Sequence, residues 1–376
     1  MTHWLVVGAG TAGCVVARRL ADTPGHHVTL VEAGPGGLPD RMRGASFFDA
    51  LAEPGRVFPG SFVRGRGLGG SGAVNGMVAT AGDARQYESW GWPDAADAFA
   101  RILVPRELAA ETELGPLDRA LLAAAPDTAP VPLTRRGGRR VTAADAYLAM
   151  PPPTLTVLTD ATITRIVLHG GRAVGVELAD GSTIDADAVI AAAGALGSPK
   201  LLAGSGVAVA GLGEGLRNHP AVPVTLRLGD DVDADDHGLV TATLLRRGDI
   251  EIVPLNHLGP GNERVAMLQI VLMTPSGRDD RPRLNLGVDL ARELLAHPVF
   301  TRLVTDISVG EPPAGIYHAT TTCAMGVVVD DAGAVFGYDG LYVVDASVFP
   351  EIPSTNPYLP TLMLAERLAE RLVVRV

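Results

Sequence analysis

The sequence predicts an α/β fold, with a mixed, βαβ-wound sheet in one domain and an antiparallel sheet with helices in a second. Three patterns carry this expectation: a strand, glycine turn, helix and strand within the first 32 residues, renewed strand-to-helix transitions after Leu155, and evenly spaced strands from about Val222 to Asp306. At 376 residues the chain exceeds the usual single-domain range of roughly 100–200 residues. Hydrophobic residues at 47% and charged residues at 19% exclude a disordered or fibrous chain. Glycine and proline make up about a fifth of the residues without any repeat period, which implies many tight loops.

Trp4 to Val7 reads as a short buried strand, Cys14 to Ala21 as a helix by its apolar spacing, and His27 to Val31 as a second strand ending at Glu32. Residues 39 to 64 read as irregular, and a second glycine cluster fills Gly65 to Gly76. Between about 78 and 140 the chain turns Ala-, Asp- and Pro-rich and looks like an insertion, with helices expected at Asp94 to Leu103 and Pro116 to Ala125. Strands return at Leu155 to Leu158, Ile163 to Leu168, Ala173 to Leu178, Thr183-Ile184 and Ala188 to Ala193, with a hairpin turn at Gly170-Gly171. A helix follows with Pro199 near its first turn. Five strands are then expected, at Val222 to Leu226, Leu239 to Leu245, Ile250 to Leu255, Val265 to Met273 and Arg283 to Val288. A helix at Ala296 to Val304, a strand at Leu341 to Asp345 and a helix from about Pro360 to Leu372 complete the pattern.

Net charge is −11, Lys200 is the sole lysine and no dense basic stripe exists, so nucleic acid is not an expected partner. No run of 18 apolar residues occurs, and no membrane span is expected. The first apolar burst, Trp4 to Val7, runs into glycines and belongs to the fold rather than to a signal peptide. Cys14 and Cys323 are too few and too distant for a disulfide framework or a four-ligand zinc site, so buried thiols in a reducing, cytoplasmic compartment and no metal are expected.

Gly8-x-Gly10-x-x-Gly13 lies between a strand and a helix, with Glu32 19 residues beyond Gly13 at the end of the next strand. That context makes the motif a Rossmann-like dinucleotide site. Gly8 permits the tight turn, Gly10 lets backbone approach a pyrophosphate, and Gly13 lets the helix pack close to the strand. Helix N–H groups hold the phosphates while Glu32 accepts from ribose hydroxyls. NAD and FAD both use this motif. The second cluster points to the bulkier cofactor, because a flexible surface loop does not explain its embedded Leu68, Val74 and Met77.

On five ordered segments the chain resembles the glucose-methanol-choline (GMC) oxidoreductases, flavoproteins that oxidise alcohols. These are the first glycine unit with Glu32-Ala33-Gly34; Gly65-Arg66-Gly67-Leu68-Gly69-Gly70-Ser71-Gly72-Ala73-Val74-Asn75; Ala193-Gly194 through Ser198-Pro199-Lys200-Leu201-Leu202; Tyr317-His318 through Cys323-Ala324-Met325-Gly326; and Gly340 to Pro350 followed by Asn356. The resemblance implies an FAD-binding domain of residues 1–77, 141–221 and 313–376, and a substrate-binding cap of 78–140 and 222–312. It implies cofactor contacts at Gly8, Gly10, Thr11, Ala12, Gly13, Glu32 and Ala33, at Arg66, Leu68, Gly69, Gly70, Ser71, Asn75 and Gly76, and at Ile163, Ala193, Gly194, Asp345, Ala346, Asn356 and Pro357.

It further implies that a small-molecule alcohol loses its hydroxyl proton to His318 as general base while Asn356 donates to the developing alkoxide and flavin N5 takes the hydride. Ala319 and Thr321 stand where the family has Pro and Gly, and the chain is short for the family, so a reduced lid is expected. An open flavin edge favours an organic electron acceptor over oxygen. Family members that tether the flavin use a histidine at the position of Val74, so FAD is expected to be non-covalent. His219, in Asn218-His219-Pro220, is expected to be structural, whereas Tyr317 and Tyr358 either flank the substrate or pack in the core. An oxygen-dependent alcohol oxidase, and a flavin-containing lyase that cleaves a cyanohydrin, are the alternative readings.

Overall fold

The computed structural model describes residues 1–44, 46–232, 238–262, 264–311 and 314–375, so the expected domain boundary at 312/313 lies outside the described residues. A five-stranded sheet runs in the order Leu341–Val343, Ala188–Ala191, Thr2–Val7, His26–Val31, Leu155–Leu158, and every pairing in it is parallel. Its central strands are largely apolar because both faces are covered; Trp4, Leu5, Val6 and the whole of Ala188–Ala191 are buried. The helices Thr11–Ala21 and Tyr358–Arg375 pack against each other. A three-stranded antiparallel sheet, Ile163–His169, Arg172–Leu178 and Thr183–Asp185, lies beside Ala188–Ala191.

The second large sheet is antiparallel, in the order Val304–Val309, Pro220–Leu228, Val265–Leu272, Ile250–Leu255, Thr243–Arg247, Ala129–Pro130, with Ala314–Gly315 paired to Pro220–Leu228. Successive side chains point to opposite faces. Ile250, Ile252, Leu268, Ile270 and Leu272 pack in one core with Leu284, Val288 and Ala291 of the helix Arg281–Leu295. The other set, Glu251, Val253, Gln269, Val271 and Met273, faces a cavity shared with the parallel sheet.

Four expectations about elements fail, the first being residues 39 to 64, which hold a short helix at Phe47–Leu51. Arg283 to Val288 is part of a 15-residue helix, not a strand. Six residues of mixed polarity fit either period, and only the continuation through Ala291, Leu294 and Leu295 shows helical burial. The strand expected from Leu239 begins at Thr243, because Leu239 bonds to Glu113 through its N–H instead. The helix after the third family segment starts at Gly194, so Pro199 falls in its interior. Among the described residues no helix is long and apolar enough to cross a membrane.

Candidate active site

A cavity of about 750 Å³ runs from the carboxyl ends of the parallel strands to the face of the antiparallel sheet. Ligands of open α/β sheets bind at such carboxyl ends. Its wall brings together Gly8, Gly10, Thr11, Ala12, Glu32 and Ala33 with Gly70, Ser71, Asn75 and Gly76, and with Ile163, Ala193, Gly194, Asp345, Ala346, His318, Asn356 and Pro357. Gly13, Arg66, Leu68 and Gly69 do not line it. Gly13 lies where a Cβ would come 1.8 Å from the carbonyl oxygen of Gly8, so it sets the fit of helix to turn. Arg66 ties loops together, donating to the carbonyls of Ala33 at 2.7 Å and Gly55 at 3.2 Å. Leu68 packs on the main core, and the Gly69 N–H bonds to the carbonyl of Ala9.

The residues present fit a dinucleotide. The helix Thr11–Ala21 has neither a side-chain cap nor an acidic residue in its first turn, so its first N–H groups are available to phosphate oxygens. Gly70, at φ +52°, would drive a Cβ to 2.7 Å from Gly10 Cα, so the two glycine turns meet backbone to backbone. Glu32 is buried and joins them: one carboxylate oxygen accepts from Ala9 N–H at 2.9 Å, the other from Gly34 at 2.8 Å and Gly67 at 3.0 Å. A carboxylate has about four acceptor sites, so capacity remains on the cavity side for a ribose hydroxyl.

Asp345 is buried and accepts from Ser347 N–H at 2.8 Å, Gly194 N–H at 2.9 Å and Ser198 Oγ at 2.5 Å. It therefore caps the turn after its strand and also orients the helix Gly194–Gly204; burial pushes its carboxyl above the usual range. Arg140 went unseen in the sequence because its Arg-rich hairpin reads as a solvated turn. It is fully buried and donates to the carbonyls of Met42, Gly72 and Asn75 and to Asn75 Oδ1, which holds the second glycine loop; desolvation lowers it to about 10.

At the other end of the cavity, His318 is held twice by Asn218-His219. Its backbone N–H donates to Asn218 Oδ1 at 2.9 Å, and its Nδ1 lies 2.9 Å from Nδ1 of His219, a fully buried ring standing at 88° to it. His219 Nε2 is 3.0 Å from the carbonyl oxygen of Pro353. A carbonyl only accepts, so Nε2 of His219 carries its proton and Nδ1 is bare; His318 then donates from Nδ1 and keeps a bare Nε2. Burial, and the neighbouring imidazole after it, hold His318 well below the ordinary histidine value, while burial lowers His219 to about 4. Both rings are thus neutral at pH 7, and His318 presents a proton acceptor. The sequence reading of His219 as structural did not name its partner, for which only the motif Asn218-His219-Pro220 was a signal.

Asn356 directs its amide to Thr80 Oγ1 at 3.0 Å, and Thr80 in turn bonds Thr355. Thr321 adopts φ +69°, a backbone that costs a threonine about 1–3 kcal/mol, and its hydroxyl donates to the carbonyl of Gly215. The loop beside His318 therefore follows a glycine-like path without a glycine. Tyr317 is 53% exposed and meets Phe62 edge-on at the cavity wall, and Tyr358, buried against Gly72, lines the cavity as well. Residues of the antiparallel sheet line it as expected of the cap, whereas Phe47 and Phe58 were not foreseen.

A glycine-rich cradle at the carboxyl ends of a parallel sheet, with His318 at the other end of the same cavity, places the chain among nucleotide-binding α/β folds. The GMC oxidoreductase profile matches residues 126–221 and 266–365, and a Rossmann-like NAD(P)-binding profile matches 6–38. A GMC-type oxidoreductase of Rhodococcus erythropolis is 31% identical over an alignment covering 97% of each chain, and the oxygen-dependent choline dehydrogenase of Paraburkholderia phymatum is 27% identical over 98% of this chain and 92% of that one. The first alignment spans 481 positions against 376 residues here, so it opens gaps in this shorter chain. Among solved structures, pyridoxine 4-oxidase from Mesorbium loti superposes with a TM-score of 0.88 at 21% identity, covering 99% of both chains. A formate oxidase variant from Aspergillus oryzae gives 0.85 at 19%, covering 100% of this chain and 98% of the other. The chain belongs to the GMC oxidoreductase family, and it is an oxidoreductase enzyme.

Proposed function

We propose that the protein oxidises a small alcohol to a carbonyl with FAD held non-covalently in the cavity. The observation that carries this reading is the contact of His318 Nδ1 with His219, itself anchored on Pro353, which leaves His318 Nε2 as the acceptor in the same cavity as the glycine cradle. FAD bound there supplies a two-electron acceptor for the carbinol hydride. His318 Nε2 takes the hydroxyl proton, and the amide of Asn356 donates to the oxygen as its charge grows. The Rossmann turn, Glu32 and the second glycine loop would hold the dinucleotide, and Asp345 and Ala346 line the same cavity. Val74 sits in an apolar cluster with Met42 and Ala50 and offers no nucleophile, which supports a non-covalent flavin. Both cysteines are buried and free, in keeping with a reducing cytoplasm.

We further propose an organic electron acceptor rather than oxygen, because aromatic residues at the cavity wall, Phe62 and the exposed Tyr317, suit a planar molecule. The names of the choline dehydrogenase and oxidase relatives favour oxygen as the second reading. Anaerobic mixing of holoenzyme with a panel of alcohols tests the main proposal: substrate-driven flavin bleaching is expected. Its absence across primary and secondary alcohols, with cyanohydrin cleavage instead, refutes it in favour of a lyase.

A further inference from the structure

We infer that Thr80 is a positioning residue for the oxidation: its hydroxyl fixes the amide of Asn356 so that one N–H is left to serve the oxygen of the alcohol. This deepens, and rests on, the alcohol-oxidising reading of the cavity. Asn356 lines that cavity, and Thr80 stands behind it, outside the lining. The backbone N–H of Tyr358 lies 3.4 Å from one end of the amide and can only donate, so that end is Oδ1. The other end is Nδ2, which donates to Thr80 Oγ1 at 3.0 Å. The Tyr358 contact is the longer and weaker of the two, so the Thr80 hydroxyl supplies most of the hold. Nδ2 carries two protons, and among the described residues Thr80 is the one acceptor it meets. Its second proton stays available to an oxygen in the cavity. With the hydroxyl gone, the amide can turn and offer Oδ1, which repels a growing alkoxide.

The hydroxyl can be removed without moving the backbone around it, because the two segments are fastened elsewhere. Gln86 Oε1 accepts from the Ser354 N–H at 2.6 Å, and its Nε2 donates to the carbonyl of Ile352 at 3.0 Å. The Asp83 N–H donates to Ser354 Oγ at 3.0 Å. Gly82, at φ +80°, brings the chain so close that a Cβ there would lie 3.0 Å from Thr355 Cγ2. Pro353, between the two residues that Gln86 holds, directs its carbonyl at His219. The brace from 82 to 86 therefore keeps the His219 end in place whatever stands at 80. Thr80 adds its bond to the fully buried Thr355 and the acceptor for Asn356.

The test uses holoenzyme and an alcohol that bleaches its flavin. Thr80→Val keeps the side chain's shape without the hydroxyl. It should slow the limiting rate of anaerobic flavin reduction about tenfold, the upper scale of one hydrogen bond, and leave the half-saturating alcohol concentration within about twofold, because the amide acts on charge that grows in the transition state. Thr80→Ser should recover most of the rate, and in an Asn356→Ala background Thr80→Val should cost nothing more. A Thr80→Ser enzyme as slow as Thr80→Val, or additive losses in the double variant, overturns the inference. Nitrogen-15 labelling of the six asparagines, with Asn356→Ala to assign the signal, reads the amide without turnover. In wild type one proton of Asn356 Nδ2 should exchange with water about tenfold more slowly than the other, and in Thr80→Val the difference should vanish. Equal exchange in wild type overturns the inference without any variant. If the exchange behaves as expected while no alcohol bleaches the flavin, the hold of Thr80 on Asn356 stands and the alcohol-oxidation reading falls.

Discussion

Glu32 is the position where one substitution separates two jobs. Its carboxylate accepts three buried backbone N–H groups, from Ala9, Gly34 and Gly67, and so clamps the first glycine turn to the second. Glu32→Ala leaves all three donors without their acceptor. At about 1–3 kcal/mol for each unsatisfied buried group the loss is about 3–9 kcal/mol, a large part of a typical stability of about 5–15 kcal/mol. Water entering from the cavity moves the value toward the lower end. Glu32→Gln keeps the oxygen that serves Gly34 and Gly67 but turns an amide N–H₂ toward the Ala9 N–H, so about 1–3 kcal/mol is lost. Denaturant unfolding of the apoproteins should therefore rank wild type, Glu32→Gln and Glu32→Ala in that order, and FAD titration should show weakened retention in the same order. Holoenzyme that survives should keep its rate of substrate-driven reduction. An apoprotein of Glu32→Ala within about 1 kcal/mol of wild type would refute the clamp; full FAD content with dead chemistry would refute the ribose role.

His318→Ala should preserve the flavin spectrum but slow substrate-driven reduction at least about 10²-fold, with a smaller loss for Asn356→Ala; stopped-flow reduction rates decide. Because burial holds His318 well below 6.5 and the working form is neutral, reduction should stay flat as pH falls through 6.5, and an acid limb centred at or above 6.5 would contradict the neutral pair. Folded His219 titrates near 4 against about 6.5 unfolded, so the unfolded chain takes up the proton first and stability should decline as pH falls from about 6.5 toward 4; unfolding midpoints across that window should show a shallower slope in His219→Gln. Acid precipitation should release yellow flavin to the supernatant, and colour retained in the pellet would exclude a non-covalent cofactor. Substrate-reduced enzyme mixed with air-saturated buffer should reoxidise more slowly than turnover with artificial acceptors, and faster reoxidation would establish the oxidase reading.

The nucleotide-binding half was legible in the sequence because its constraints are local. Gly8, Gly10 and Gly13 answer to backbone approaches within one turn, and Glu32 ends the next strand of the same unit. Ala188–Ala191 announces itself as an unbroken apolar run since both its faces are covered. Alternation along Ile250–Leu255 and Val265–Leu272 likewise shows that two faces exist. Which face meets the cavity was decided by the helix Arg281–Leu295 packing on the other, and that helix was itself misread as a strand. The pairing of His219 with His318, the hold of Arg140 on the second glycine loop and the exposure of Glu251 to the cavity join segments from roughly 65 to 100 residues apart or on different sheets. Pattern along the chain carries no information on such meetings, because polar side chains at a site are placed by the packing of apolar ones elsewhere. The sequence alone thus determined most of the elements and the glycine turns, and tertiary packing decided the tautomer of His318 and which side chains face the cavity.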